Sequence, residues 1–269
     1  MKKLKVGIIG CGTIGTALAR ALCGPFRSRA VLSFICDRNP VKAAALRQKI
    51  KRRIPVTSMD RLIAKSDIVI EAASAEISGK IAAKVMGCSG KQALIMSVGG
   101  LPDRPKFRQL ANKSAGKIWI PSGALAGVDG LTAARESKIQ RVRLVTRKPP
   151  GSLRGAPYFQ KRDFPRLAGA KPVCVFKGNA REAVKAFPQN INVAAVLALA
   201  GVGAQKTRVE IWTSRSTRTN QHEVTVEAKS GQIYSRTQNV PAPGNPKTSA
   251  LAVYSAIAVL RKIFSPIQL

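Results

Sequence analysis

The sequence predicts an α/β chain, with a doubly wound parallel sheet followed by a second, mixed α/β domain. Three observations carry that expectation. From Lys3 to about Ile120, short apolar runs alternate with stretches of helical spacing, the pattern of parallel strands covered on both faces. A glycine-rich turn separates the first apolar run from the first helical stretch. Beyond Pro121 the pattern changes, with residues that alternate between apolar and polar, as in a half-buried sheet.

In chain order, Leu4–Ile9 reads as a buried strand and Ile14–Cys23 as a helix. Val31–Cys36 is a second strand. Pro40–Lys51 is a second helix, with proline in the first turn, where its missing N–H costs nothing. Asp67–Glu71, Ala93–Ser97 and Lys117–Ile120 supply further strands. Past Pro121, Ile139–Thr146 alternates like a strand, and Asn179-Ala180-Arg181-Glu182 has the form of a helix N-cap with a reciprocal glutamate. Lys206–Thr213 is another strand, and His222–Ala228 and Gln232–Thr237 flank Ser230-Gly231 as a hairpin. Ala242–Pro246 reads as a loop, and Thr248–Ile263 as a final helix that returns to the first domain. The expected division is 1–120 with 245–269 as one domain and 121–244 as the other.

Composition narrows the class. At 269 residues and 45% hydrophobic content the chain can bury a sizeable core. Cys11, Cys23, Cys36, Cys88 and Cys174 are scattered without a CxxC pair, which argues against a disulfide framework or zinc site and for a reducing, cytoplasmic setting. Met1–Lys5 has the basic start of a signal peptide, but Gly10, Gly12 and Gly15 break the apolar stretch behind it. No run reaches the roughly 18 apolar residues of a membrane span.

Charge is the anomaly, with 46 Lys and Arg against 13 Asp and Glu, a net +33. Such a balance commonly marks a nucleic-acid or other anionic partner. Here the cations are spread along the whole chain, there is no basic tail or repeat, and aromatics are only 5% of residues. Interleaved stacking residues of the kind nucleic-acid grooves use are missing. Non-specific polyanion binding is therefore expected as a side effect. Positive supercharging of an existing fold, with surface acids replaced, is one origin for the excess; natural basic adaptation is the other.

Gly10-Cys11-Gly12-Thr13-Ile14-Gly15 follows the first strand and opens the first helix. In that setting it reads as the Rossmann dinucleotide fingerprint, with the helix N-terminus facing the pyrophosphate. Asp37 ends the second strand, where a carboxylate accepts from ribose hydroxyls, and Arg38 beside it could meet a 2′-phosphate; both NAD and NADP stay open. The alternative is a glycine turn in an ordinary α/β protein. Glu71-Ala72-Ala73-Ser74 and Ser97-Val98-Gly99-Gly100 stand where strands stop, the ligand edge of an open sheet, although tight turn packing would use the same residues. His222 is the chain's one histidine, suited to proton transfer near neutral pH, yet a lone histidine is also often structural. Asn190 and Asn192 read equally as helix caps or substrate ligands. Arg147, Lys148 and Lys247 could pair with carboxylates or be solvated surface.

Over nearly its full length the sequence resembles the L-aspartate dehydrogenase family. The matching strings are Gly7–Gly15, Glu71–Ser74, Pro121–Gly130, Thr146–Lys148, Phe187–Ala195, His222-Glu223 and Asn245–Ser249. The resemblance implies a dinucleotide-binding domain, a mixed domain carrying the active site and subunit contacts, and a homodimer. It implies NAD(P)-dependent oxidation of L-aspartate to iminoaspartate, a compound that also stands at the head of NAD biosynthesis. It assigns catalysis to His222 and dinucleotide contact to Ala124 and Asn190, with Gly10, Gly12, Thr13, Ile14, Gly15, Asp37, Arg38, Ala73 and Ser74 lining the same cofactor. Asn192, Arg147, Lys148 and Lys247 are then candidates for the substrate. The charge departs from the family's habit and keeps a rival in play, a supercharged or repurposed Rossmann scaffold that binds polyanions with little turnover.

Overall fold

The computed structural model describes residues 2–101, 104–168, 171–188 and 192–266. The chain divides into two compact units, one of Met1–Pro102, Lys106–Pro121 and Val253–Leu269, the other built almost wholly from Ser122–Ala252.

In the first unit, strands β1 (Leu4–Ile9), β2 (Ala30–Cys36), β3 (Ile68–Glu71), β4 (Gln92–Ile95) and β5 (Lys117–Trp119) form a parallel sheet in the order β2-β1-β3-β4-β5. Helices α1 (Thr13–Cys23), α2 (Pro40–Ile50), α3 (Met59–Lys65), α4 (Ala75–Met86) and α5 (Arg104–Asn112) connect them. Successive strand residues point to opposite faces, so Ile8 packs with Leu18, Leu22 and Leu46, while its neighbour Ile9 packs with Leu62, Ile81 and Val85. That two-sided burial is why the strands are almost continuously apolar. A single parallel bridge, Ile35 to Val56, adds a rudimentary strand outside β2. It is held by Ile35 N–H on Pro55 O and Thr57 N–H on Ile35 O, both 3.0 Å. Counting it, the order is that of the dinucleotide-binding fold. A proline-containing run this short carries no strand signal, and the sequence reading passes over it.

The second unit centres on a mixed sheet in the order β10-β9-β6-β8-β7. Its strands are β6 (Ile139–Arg147), β7 (Val173–Asn179), β8 (Thr207–Thr213), β9 (Asn220–Ala228) and β10 (Gly231–Asn239), and only β6 and β8 pair in parallel. Helices α6 (Val128–Ala134), α7 (Pro150–Leu153), α8 (Ala180–Ala186) and α9 (Asn192–Ala200) accompany it. One face buries Val142, Leu144, Val209, Ile211, Val224 and Val226. The alternate residues make ion pairs, Arg141 with Glu227, Arg143 with Glu210 and Arg147 with Glu223. Asn179 and Glu182 form the reciprocal cap at α8, each bond 3.0 Å. Register sets the β9–β10 turn at Lys229-Ser230, because Ala228 pairs with Gly231. That is one residue earlier than the sequence signal, and Gly231, at φ +126, opens the returning strand.

Residues 242–246 are not a plain loop. Strands β11 (Pro241–Ala242) and β12 (Asn245–Ser249) form a small hairpin turning at Gly244, φ +76. Residues 245–252 consequently belong to the second unit and not to the first, where the sequence division put them. Side-chain and backbone bonds explain the correction. Asn220 Nδ2 donates to Ser249 Oγ at 3.2 Å, and Ala250 N–H donates to Val240 O at 2.9 Å. The last helix, α10 (Ala250–Phe264), joins the first unit from Val253 onward. There Ala256 and Leu260 enter the Leu18–Leu22 core, and Phe264 lies 5.4 Å from Phe26.

Candidate active site

In the first unit a candidate site forms where the chain, leaving β1, has β2 on one side and β3 on the other. Gly10 has φ +99, and a Cβ there would fall 2.4 Å from the Ala72 carbonyl oxygen, so only glycine fits. A Cβ on Gly15 would fall 1.9 Å from the Gly10 carbonyl, so α1 packs directly on its own opening turn. Gly12, the N-cap of α1, differs from both, because a Cβ there would meet nothing within 4 Å. It fronts open space beside the N–H groups of Thr13 and Ile14, which have no partner within the helix. That is the shape and polarity a pyrophosphate needs.

At the end of β2, Asp37 is fixed by two backbone donors, Cys11 N–H to Oδ2 at 2.7 Å and Asn39 N–H to Oδ1 at 2.8 Å. Each oxygen keeps a lone pair for a ribose hydroxyl, and Arg38 beside it is exposed. These residues fit an adenine dinucleotide. The Cys11 thiol, pushed up to about 12 by burial and then by Asp37 and Cys36, stays protonated and serves as packing.

Glu71 has a role the sequence reading missed. It is fully buried at the end of β3 and accepts four hydrogen bonds, from Ala73 N–H (2.8 Å), Ser74 N–H (3.1 Å), Ser97 N–H (2.9 Å) and Ser97 Oγ–H (2.9 Å). One carboxylate therefore ties together the loops that leave β3 and β4. Burial raises its pKa and the four donors oppose that rise. Ala73 and Ser74 stand at the crevice edge with their N–H groups turned back onto this carboxylate.

The second unit carries a candidate site of its own, a polar patch on the apolar face of its sheet. Register places Thr146 opposite His222. His222 is 3% exposed, and its Nδ1 lies 2.8 Å from Thr146 Oγ1. The Thr146 hydroxyl also lies 3.2 Å from the Gln221 carbonyl; in the tautomer with the proton on Nδ1 it accepts from the ring and donates to that carbonyl, leaving the lone pair on Nε2. Two residues beyond Thr146, just past the end of β6, Lys148 is 4% exposed, with Nζ 3.3 Å from Asn220 Oδ1. The Ser249 bond orients that amide. No carboxylate pairs with Lys148 among the described residues. Burial pushes Lys148 down to about 8. Burial, and secondly the Lys148 charge, push His222 down to about 3. The arrangement is a neutral imidazole beside an ammonium that gives up its proton in the mildly alkaline range, a ready acid–base couple.

The remaining candidates scatter. Strand alternation turns Arg147 to the opposite face from Thr146 and Lys148, where Nη1 bonds Glu223 at 2.7 Å. Lys148 is core, not solvated surface. Ala124 is buried, and its carbonyl accepts from Thr237 Oγ1 at 2.8 Å and Asn239 Nδ2 at 3.2 Å. Asn192 opens α9 and is half-buried. Asn190 and the side chain of Lys247 lie outside the described residues. Thr146, Asn220 and Ser249 carry the patch without having been singled out. The signal for two of them was present as polar residues spaced by two within apolar strands, Thr146 with Lys148 and Asn220 with His222. Among the described residues no three His, Cys, Asp or Glu side chains gather to hold a metal, and no helix is long and apolar enough to cross a membrane.

Comparison with known proteins covers both units. Residues 129–263 match the family model described as aspartate dehydrogenase, C-terminal, and residues 10–121 match that of the homoserine dehydrogenase NAD binding domain. The L-aspartate dehydrogenase of Methanosarcina barkeri is 40% identical over 270 residues, covering 99% of each chain. "L-aspartate dehydrogenase 3" of Bordetella bronchiseptica is 34% identical over 99% of this chain and 97% of its own. The solved aspartate dehydrogenase of Thermotoga maritima superposes with a TM-score of 0.76 at 27% identity, covering 100% of both chains. With both halves matched and full-length relatives at this identity, the chain belongs to the L-aspartate dehydrogenase family.

Proposed function

We propose that this chain oxidatively deaminates L-aspartate with NAD or NADP, and that the buried Lys148–His222 couple handles the protons. That couple is the observation that carries the reading, because a buried cation beside a neutral imidazole is costly to fold and serves no packing purpose. The bound dinucleotide supplies the hydride acceptor. Gly12 and the α1 N-terminus would hold its pyrophosphate and Asp37 its ribose, and the family resemblance adds Ala124 and Asn190 as further contacts. On the substrate, hydride leaves Cα only from the neutral amine. Lys148, unprotonated above about pH 8, takes the amine proton. The product iminium then adds water, one of whose protons passes to His222 Nε2 and from there to the nitrogen; the hydroxyl then gives up its proton as ammonia leaves and oxaloacetate forms. Thr146 holds the ring and Asn220 holds Lys148. Asn192 and Lys247 are the proposed ligands of the substrate carboxylates; Arg147, committed to Glu223 on the other face, is not among them.

The test is formation of reduced nicotinamide with L-aspartate against a panel of amino acids, at low and high salt. Aspartate-selective turnover is expected, faster at low salt, where a +33 field steers a dianion. Absence of turnover together with salt-sensitive binding of DNA would support the polyanion-binding scaffold instead, a reading that the net charge favours. We further propose a homodimer in the cytoplasm. Five free thiols support the compartment, and sedimentation at low and high salt tests the dimer, with a monomer at both overturning it.

A further inference from the structure

We infer that the second unit binds a small oligophosphate in a pocket lined by neither Lys148 nor His222. The pocket measures about 720 Å³, within the size range of small-molecule sites. Arg154, Arg166, Arg215 and Arg218 line it, contributed by three separate stretches of chain. In so basic a protein an arginine on open surface signifies nothing. Four converging on one concavity, with no carboxylate in its wall, are a different matter. Elsewhere in this unit Arg141, Arg143, Arg147 and Arg236 are each paired with a glutamate. Among the described residues none of the pocket's four has such a partner.

The walls are stiff as well as charged. The Arg154 guanidinium lies over the Phe164 ring at 4.6 Å, which holds its plane and donors in one orientation. Pro149, Pro150 and Pro165 restrict the backbone around it. The turn that presents Arg215 and Arg218 is closed on itself, by Thr217 N–H on Ser214 O at 3.2 Å and by their hydroxyls at 2.8 Å. Little ordering is therefore left for a ligand to impose.

Charge selects the ligand class. Four guanidiniums held together repel one another, and a dicarboxylate neutralises only half of them. A pyrophosphate or tripolyphosphate group comes close to full neutralisation and offers paired oxygens to each planar fork.

The experiment is calorimetric titration of the intact protein with inorganic pyrophosphate at about 0.15 M salt, where long-range attraction is screened. NAD is kept saturating so that the crevice at Gly12 does not compete. The pocket variant is Arg154→Gln with Arg215→Gln. The control, Arg61→Gln with Lys80→Gln, removes the same charge from exposed positions on the first unit. We expect one site per chain, weakened about 10-fold or more in the pocket variant, as loss of two charge-assisted contacts implies, and nearly unchanged in the control. All six side chains of the two variants and their pocket partners are exposed, so both variants should melt like the parent. Equal weakening in both, or uptake that never saturates at one per chain, would reduce the pocket to part of the general field and overturn the inference. Citrate binding as tightly as pyrophosphate would overturn the oligophosphate class.

Discussion

In the first unit the groups offered to a ligand are backbone N–H donors and glycine-shaped space, while in the second they are buried side chains with displaced pKa values. Both candidate sites lie at strand ends, yet they respond to different perturbations. A backbone site is sensitive to volume and to whatever anchors its loops, and titrates little. A side-chain site tolerates modest reshaping but follows pH. The contrast also suits the division of labour, since a dinucleotide needs holding and a substrate needs its protons moved.

The comparison breaks first at Glu71. Glu71→Ala leaves three part-buried N–H groups without their acceptor, and it should destabilise the protein by about 2 kcal/mol or more, read as a lower denaturation midpoint with NAD affinity falling alongside. A melting curve like the parent's would mean the loops after β3 and β4 do not depend on it. Next in size, His222→Ala should cut turnover about 100-fold, the usual worth of a general acid–base, while leaving NAD affinity nearly unchanged. Normal turnover would remove His222 from the chemistry. Asp37→Ala should weaken NAD by about 10-fold, the scale of a lost bond to a charged group, and NADP by less. Unchanged affinity for both would place the ribose elsewhere.

The pH prediction sharpens the contrast most finely. Lys148 sits near 8 in the folded chain and near 10.5 when exposed. Between those values the unfolded state binds more protons, so stability rises with pH across that window, by up to about 1.4 kcal/mol per unit. Lys148→Met should remove that rise, and should also abolish the increase in turnover with aspartate around pH 8. His222 has the matching window on the acid side, from 6.5 down to about 3, in which falling pH should cost stability. A Lys148→Met profile that parallels the parent at every pH would dissolve the couple.

The few acids in this basic chain are mostly engaged. Asp37 and Asp67 accept backbone N–H groups, Glu71 and Glu182 hold loop and cap, and Glu210, Glu223 and Glu227 pair across the second sheet. Solvent tolerates loss of a surface carboxylate, whereas a buried N–H does not. A chain can therefore move to +33 and keep its fold, provided these positions stay acidic.

How far the sequence could be read follows the range of the interactions involved. The apolar strands, the α8 cap and the glycine turn were legible because each depends on neighbours a few residues away. Val56, the 241–249 hairpin and the Lys229-Ser230 turn were not, since a single long-range pairing or a register choice decides them. Family strings pointed to His222 and Lys148 without saying what either touches.

By itself the sequence determined the α/β class, the dinucleotide turn with Asp37 behind it, and the family, all written in local pattern and residue type. Only the tertiary structure decided that Arg147 faces away from Lys148, that Glu71 clamps two loops, and that Lys148 and His222 share one buried patch. The physical reason is that burial and partners, which set a side chain's charge state and orientation, come from strands far apart in sequence.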